Sequence, residues 1–246
     1  MSRCGSGKSM LVNSILGDDI VTQGDHHYSI SYSLADTNLI LKELDPQNIE
    51  IFKQVCLDEK NIIIYVISVT ELGSNDENII LIANEMKRSG KQCKDRFIFA
   101  ISKCDELDFQ GSESISKMLK YATEYLSGFG IKEPKLFPIS AQTAKVIRRK
   151  QRGVKLTRQE KKDLDLYEDF IEVSGFHLEK MASLSEDSRI RIEYKLNEAR
   201  KENDAYEEAL IHTGVPSIEQ YIDEYIKNNL NYKEKRKIHD KYLYKI

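Results

Sequence analysis

Near its amino terminus the chain reads Cys4-Gly5-Ser6-Gly7-Lys8-Ser9-Met10. Small residues, then Lys-Ser, then an apolar helical run are what a phosphate cradle needs. Without bulky side chains, backbone amides can curl round phosphate oxygens at a helix N-terminus, where the dipole favours anions. Lys8 is placed to reach β- and γ-phosphates, and the Ser9 hydroxyl to ligate Mg2+. Lys8 and Ser9 are therefore the expected catalytic pair. Cys4, Gly5, Ser6, Gly7, Lys8, Ser9 and Met10 are the expected phosphate-side contacts, with Lys8 facing solvent in the empty loop. The full pattern GxxxxGK(S/T) would place its first glycine at position 2, which is Ser2. The competing reading is a Gly/Ser turn that only caps a helix.

A second group, Ser102-Lys103-Cys104-Asp105, follows the apolar run RFIFAI. It resembles the (N/T)KxD motif that recognises guanine. A carboxylate at Asp105 can accept two hydrogen bonds, from guanine N1–H and the exocyclic amine. Adenine lacks that donor pair, and such bidentate contacts discriminate by about 1–3 kcal/mol. The Lys103 stem would lie along the base, and Ser102 keeps a hydroxyl for bridging to the phosphate loop. The third group, Ser140-Ala141 after LFPI, resembles an element whose backbone N–H contacts guanine O6. Cys4 and Cys104 fall inside these motifs and are expected to be incidental small residues rather than redox groups.

These groups need elements to hold them. Asn61–Val69 is a continuous β-branched run, suited to a strand buried on both faces. A helical stretch follows over Asn75–Lys87, a second strand over Arg96–Ile101, a helix near Glu113–Leu126, and a third strand at Lys135–Ile139. Alternating strands and helices predict an α/β fold with a mostly parallel sheet flanked by helices, the motifs lying just beyond strand ends. Only three residues precede Cys4, too few for the buried strand that normally leads into such a loop. The expectation is a truncated chain, a misplaced start, or a fold without its first central strand.

From about Lys145 to Ile211 there is no strand pattern and no proline. Charged residues alternate with Leu, Ile, Tyr and Phe at helical spacing, which predicts two or three helices. The segment His212-Thr213-Gly214-Val215-Pro216 breaks the run, and Ser217 is expected to cap a last helix through Ile226. The expected organisation is a nucleotide-binding domain over 1–144, a helical insertion over 145–211, a last domain helix over 212–230, and a basic tail over 231–246. The basic run from Lys145 through Arg148, Arg149 and Lys150 to Lys162 reads as a solvated face balanced by Asp163, Asp165, Glu168 and Asp169, with anionic lipid the alternative.

Composition narrows the class. The chain has 246 residues, 40% hydrophobic and 31% charged, with a net charge of −3. That balance fits a soluble cytoplasmic protein and argues against a nucleic-acid partner. Its four cysteines show neither zinc spacing nor a disulfide framework. His26-His27 lack partner ligands at suitable spacing and read as a loop pair rather than a metal site.

Taken together, the three motifs, the stretch NIIIYVISVTELGSND, the LFPISAQTA element and the closing HTGVPSIEQYIDEYI resemble the bacterial dynamin-like GTPases, over residues 4–17, 61–144 and 212–229. The resemblance implies a P-loop NTPase-type fold that binds GTP or GDP with Mg2+, hydrolyses GTP, self-associates through its G domain and contacts membranes peripherally. It also implies a DxPG element whose Asp helps hold Mg2+. The matching stretch here is Ala35-Asp36-Thr37-Asn38, making Asp36 the second expected metal residue, but Leu39 stands where the γ-phosphate-sensing glycine belongs. Thr22 and Ser29 are alternative switch hydroxyls. Binding is thus better supported than turnover. A catalytically weak nucleotide-binding assembly module and an ATP-using P-loop protein remain the other readings.

Overall fold

The computed structural model describes residues 7–16, 29–34, 37–42, 53, 56–57, 62–72, 77–88, 94–107 and 114–228. The first described element is helix α1, Lys8–Leu16. Strands β1 (Ser29–Leu34) and β2 (Thr37–Lys42) then form an antiparallel pair, in register from Ser29↔Lys42 to Leu34↔Thr37. Strand β3 covers Ile63–Ser68, helix α2 Glu77–Arg88, strand β4 Phe97–Ser102, helix α3 Ile115–Gly128 and strand β5 Lys135–Pro138.

Strands β3, β4 and β5 make a parallel sheet in that order. Parallel neighbours cannot be joined by a tight hairpin, so α2 and α3 act as the crossovers. The central strand β4, FIFAIS, is buried along its whole length. An unbroken apolar run is what a strand covered on both faces requires. Helix α3 begins where Ser114 Oγ accepts the Lys117 amide, a standard N-cap.

The rest is helical: α4 (Ala141–Gln151), α5 (Arg158–Asp165), α6 (Tyr167–Glu172), α7 (Glu186–Glu202), α8 (Ala205–His212) and a last helix, α9, over 215–228. Short 3-10 turns at Ser174–Phe176 and Leu178–Met181 link α6 to α7. The stretch 145–211 is free of strands, as its pattern predicts, but holds more helical pieces than the two or three expected. It shares the sheet's core, where Phe170, Leu178, Ala182, Ala209 and Leu210 lie in one cluster with Phe99, Phe137 and Ile139.

Two expectations need correcting. Helix α9 starts at 215, so Ser217 sits inside its first turn, fully buried, rather than capping it. The apolar stripe Ile218, Tyr221, Ile222 and Ile226 is buried as its spacing demands. The basic run is a solvated face only in part: Lys150, Arg152, Lys155, Arg158, Lys161 and Lys162 are exposed as expected, but Lys145, Arg148 and Arg149 are not. Arg148 donates to the Ser14 and Ile15 carbonyls at the end of α1, at 2.7 and 3.1 Å, and pairs with Glu219 on α9 at 2.8 Å. Arg149 and Lys145 both face the buried Glu160, at 3.2 and 3.6 Å. These cations tie α4 to α1, α5 and α9.

Candidate functional site

The candidate site is assembled at the carboxyl ends of β4 and β5. Ser102 ends β4, is buried, and its hydroxyl donates to the Ile67 carbonyl of β3 at 3.4 Å. Lys103 then adopts a left-handed backbone, φ 63° and ψ 34°. For a residue with a Cβ this conformation costs about 1–3 kcal/mol and persists only where its surroundings enforce it. The enforcement is visible: the Cys104 amide donates to the Ile139 carbonyl at 3.2 Å, and the Ile139 amide to the Ile101 carbonyl at 2.8 Å. The pairing of β4 with β5 is thereby carried one step beyond the strands, and Asp105 is brought beside Ser140.

Burial raises the Asp105 carboxyl above its ordinary value, and a hydrogen bond from the Ser140 side chain partly offsets this. The Ser140 hydroxyl also lies 2.9 Å from Thr143 Oγ1. The Ser140 amide is spent on the Thr213 carbonyl at 2.9 Å. Ala141 opens α4, and its amide is one of the first-turn donors that no carbonyl of its own helix satisfies. If a backbone N–H of this pair meets a ligand, it is that of Ala141.

Of the residues expected to cradle phosphate, those described, 7–10, reach the same place. Gly7 has φ +89°, and its carbonyl accepts the Leu11 amide at 2.9 Å as α1 begins. A Cβ at Gly7 would stand 3.3 Å from Ser102 Oγ. The α1 N-terminus is therefore seated against the end of β4, with Lys8, Ser9 and Met10 in its first turn. Lys8 is half-buried with a polar partner, not solvent-facing as expected. Cys4, Gly5, Ser6 and Asp36 lie outside the described residues, as do His26, His27 and Thr22; Ser29 opens β1. Cys104 is fully buried, its thiol donating to the Ile101 carbonyl at 3.2 Å, and burial pushes the thiol far up. It behaves as a small core residue, inert as a nucleophile.

Sequence reasoning missed a second cluster, His177, Glu179 and His212. His177 and Glu179 sit on the turns between α6 and α7, and His212 closes α8. Burial, then the neighbouring His212, lowers the pKa of His177. The only linear signal is a His-x-Glu triplet, common without function; its third member is 33 residues beyond Glu179 and becomes a neighbour only on folding.

Searched against protein-family models and against curated proteins, the chain matches none.

Proposed function

We propose that this chain is a guanine-nucleotide-binding protein of the P-loop, dynamin-like type, holding GTP or GDP with Mg2+ at the ends of β4 and β5. One observation carries the reading: Gly7, Ser102, Asp105 and Ser140, remote in sequence, converge on one sheet edge. Ligands of parallel α/β sheets occupy that edge.

The residues present fit such a ligand. A helix N-terminus opened by a glycine at positive φ offers amides and dipole to phosphate. The Asp105 carboxyl, beside Ser140 at the strand ends, can accept the two donors that guanine supplies. Lys8 would supply charge pairing to the outer phosphates, and Ser9 would hold the metal. Mg2+ held there would neutralise charge developing on the transferred phosphate. Self-association through the G domain and peripheral membrane contact belong to the proposal through the resemblance alone. A weakly catalytic binding module is favoured as the second reading by Leu39, which replaces the expected sensing glycine.

Competitive titration of fluorescent GDP with ADP tests the base assignment. The expected preference for GDP is about tenfold to a hundredfold. Asp105→Asn is expected to shift selectivity toward xanthine nucleotides, because the amide reverses one hydrogen-bond polarity. Equal binding of ADP and GDP by the parent would exclude guanine recognition and favour the ATP-using alternative.

A further inference from the structure

We propose that His177, Glu179 and His212 form a binding site for a divalent transition-metal ion of the Zn2+ class, separate from the nucleotide site. Two imidazoles and one carboxylate are a ligand set suited to such ions. One ligand atom from each residue lies within 4.8 Å of the others. All three are buried, with relative exposures of 9%, 5% and 0%.

The cluster holds polar atoms left without hydrogen bonds. Both carboxylate oxygens of Glu179 and both ring nitrogens of His212 lack a hydrogen-bond partner. His212 Nδ1 and Glu179 Oε2 stand 3.0 Å apart, yet off the N–H direction, so the approach is electrostatic and not an aligned hydrogen bond. Buried polar groups are normally satisfied, so a buried carboxylate without an aligned donor suits a bound cation.

The outer contacts suit metal ligation. In metal sites a ligating histidine turns its other nitrogen to a carbonyl or carboxylate, which fixes tautomer and basicity. Here His177 Nε2 lies 3.4 Å from the Ile171 carbonyl, leaving Nδ1 as the lone-pair nitrogen. His212 Nε2 faces Glu208 Oε1 across 3.8 Å, too far for a hydrogen bond, and Glu208 is itself held by Arg200 Nε at 2.6 Å. His212 Nδ1, 3.0 Å from Glu179 Oε2, is the nitrogen turned to the cluster. His177 Nδ1 presently contacts the Lys180 ammonium at 3.0 Å. Lys180 is exposed at the turn, so its ammonium acts as a stand-in cation that can swing away to solvent.

Closure on an ion needs a small rearrangement. The rings of His177 and His212 are stacked, 3.8 Å apart and 7° from parallel. A tetrahedral ion with bonds of about 2.0–2.1 Å requires the rings to fan open and the donors to close by roughly 1 Å. Glu179 and Lys180 also line a cavity of about 410 Å³ beside α7.

The test uses the full chain stripped with a chelator and titrated with Zn2+, and separately with Co2+. The expected result is one ion per chain, visible bands of tetrahedral Co2+, and a rise in Tm with Zn2+. Glu179→Gln and His177→Asn are each expected to fold and to weaken Zn2+ binding by about tenfold or more. Absence of stoichiometric binding overturns the proposal. So does parent-like affinity in both variants, which would move the ion to His26–His27 or to adventitious surface groups. X-ray absorption of the zinc-loaded parent needs no variant: absence of imidazole nitrogen around the bound zinc overturns the proposal.

Discussion

Asp105 carries the most chemistry per atom at the candidate site. Burial raises its folded pKa above the value of 3.8 for a free side chain. An unfolded chain then ionises this group first as pH rises. The ionised Asp105 therefore costs stability, fully above the raised folded pKa and not at all below 3.8. A bound guanine reverses the balance, since its two donors favour the ionised form. The GDP-over-ADP affinity ratio is thus expected to shrink as pH falls through the raised pKa, because a protonated carboxyl cannot accept both bonds. Phosphate titration is common to the two nucleotides and cancels in the ratio. Isothermal titration of both across pH measures it; a ratio that stays flat into the acid range would remove Asp105 from base recognition. The neighbouring Lys103 explains why the motif tolerates a central cysteine: Cys104 points into the core while Lys103 and Asp105 leave it.

At the scale of elements, β3, β4 and β5 were plain in the sequence because β-branched and aromatic runs suit a sheet covered on both faces, whereas the antiparallel pair β1–β2 was not anticipated. The site was legible for a related reason. Each motif sits directly after such a run or before an apolar helix, and parallel pairing forces those ends together. The helical stretch was less legible. Helices α5 and α6 are separated at Asp165–Tyr167 with neither glycine nor proline between them. That break answers to packing against the core through Phe170, which no local pattern announces. Glu160, Glu219 and the cations of α4 meet across sequence gaps of up to 71 residues, so their pairing hid behind an ordinary charge run. Gly214 shows how tightly this layer is set. It has φ +77°, and a Cβ would come within 2.1 Å of the Pro138 carbonyl oxygen. Gly214→Ala is expected to destabilise by about 3 kcal/mol or more, from left-handed strain and overpacking. In a chain of this size that lowers Tm by roughly 10 °C. Gly128→Ala is the control: nothing lies within 4 Å of its Cβ, and it ends helix α3. That change should leave Tm unchanged or raise it slightly. Thermal unfolding of the two variants side by side decides whether α9 is locked to β5 as described.

Across the whole molecule, the described residues bring Gly7, Ser102, Asp105 and Ser140 to one end of the parallel sheet. No helix among them is long and apolar enough to cross a membrane. Catalysis makes a stricter demand than binding. Transfer of a phosphoryl group to water needs the metal, an oriented nucleophile and a contact that senses the γ-phosphate. Ser9, the expected metal residue, lies in the first turn of α1. Leu39, where the resemblance expects a sensing glycine, lies inside β2 in antiparallel register with Tyr32. A backbone committed to a strand lacks the freedom a glycine turn would allow. Misplacement of reacting groups by about 1 Å costs roughly a hundredfold in rate. GTP binding without brisk turnover is the expected behaviour. A single-turnover assay of phosphate release, with saturating protein and Mg2+, checks it, alongside Leu39→Gly. Release near the rates of efficient GTPases in the parent would show that the sensing contact comes from elsewhere in the chain. Acceleration in Leu39→Gly would place the deficit at that one backbone position.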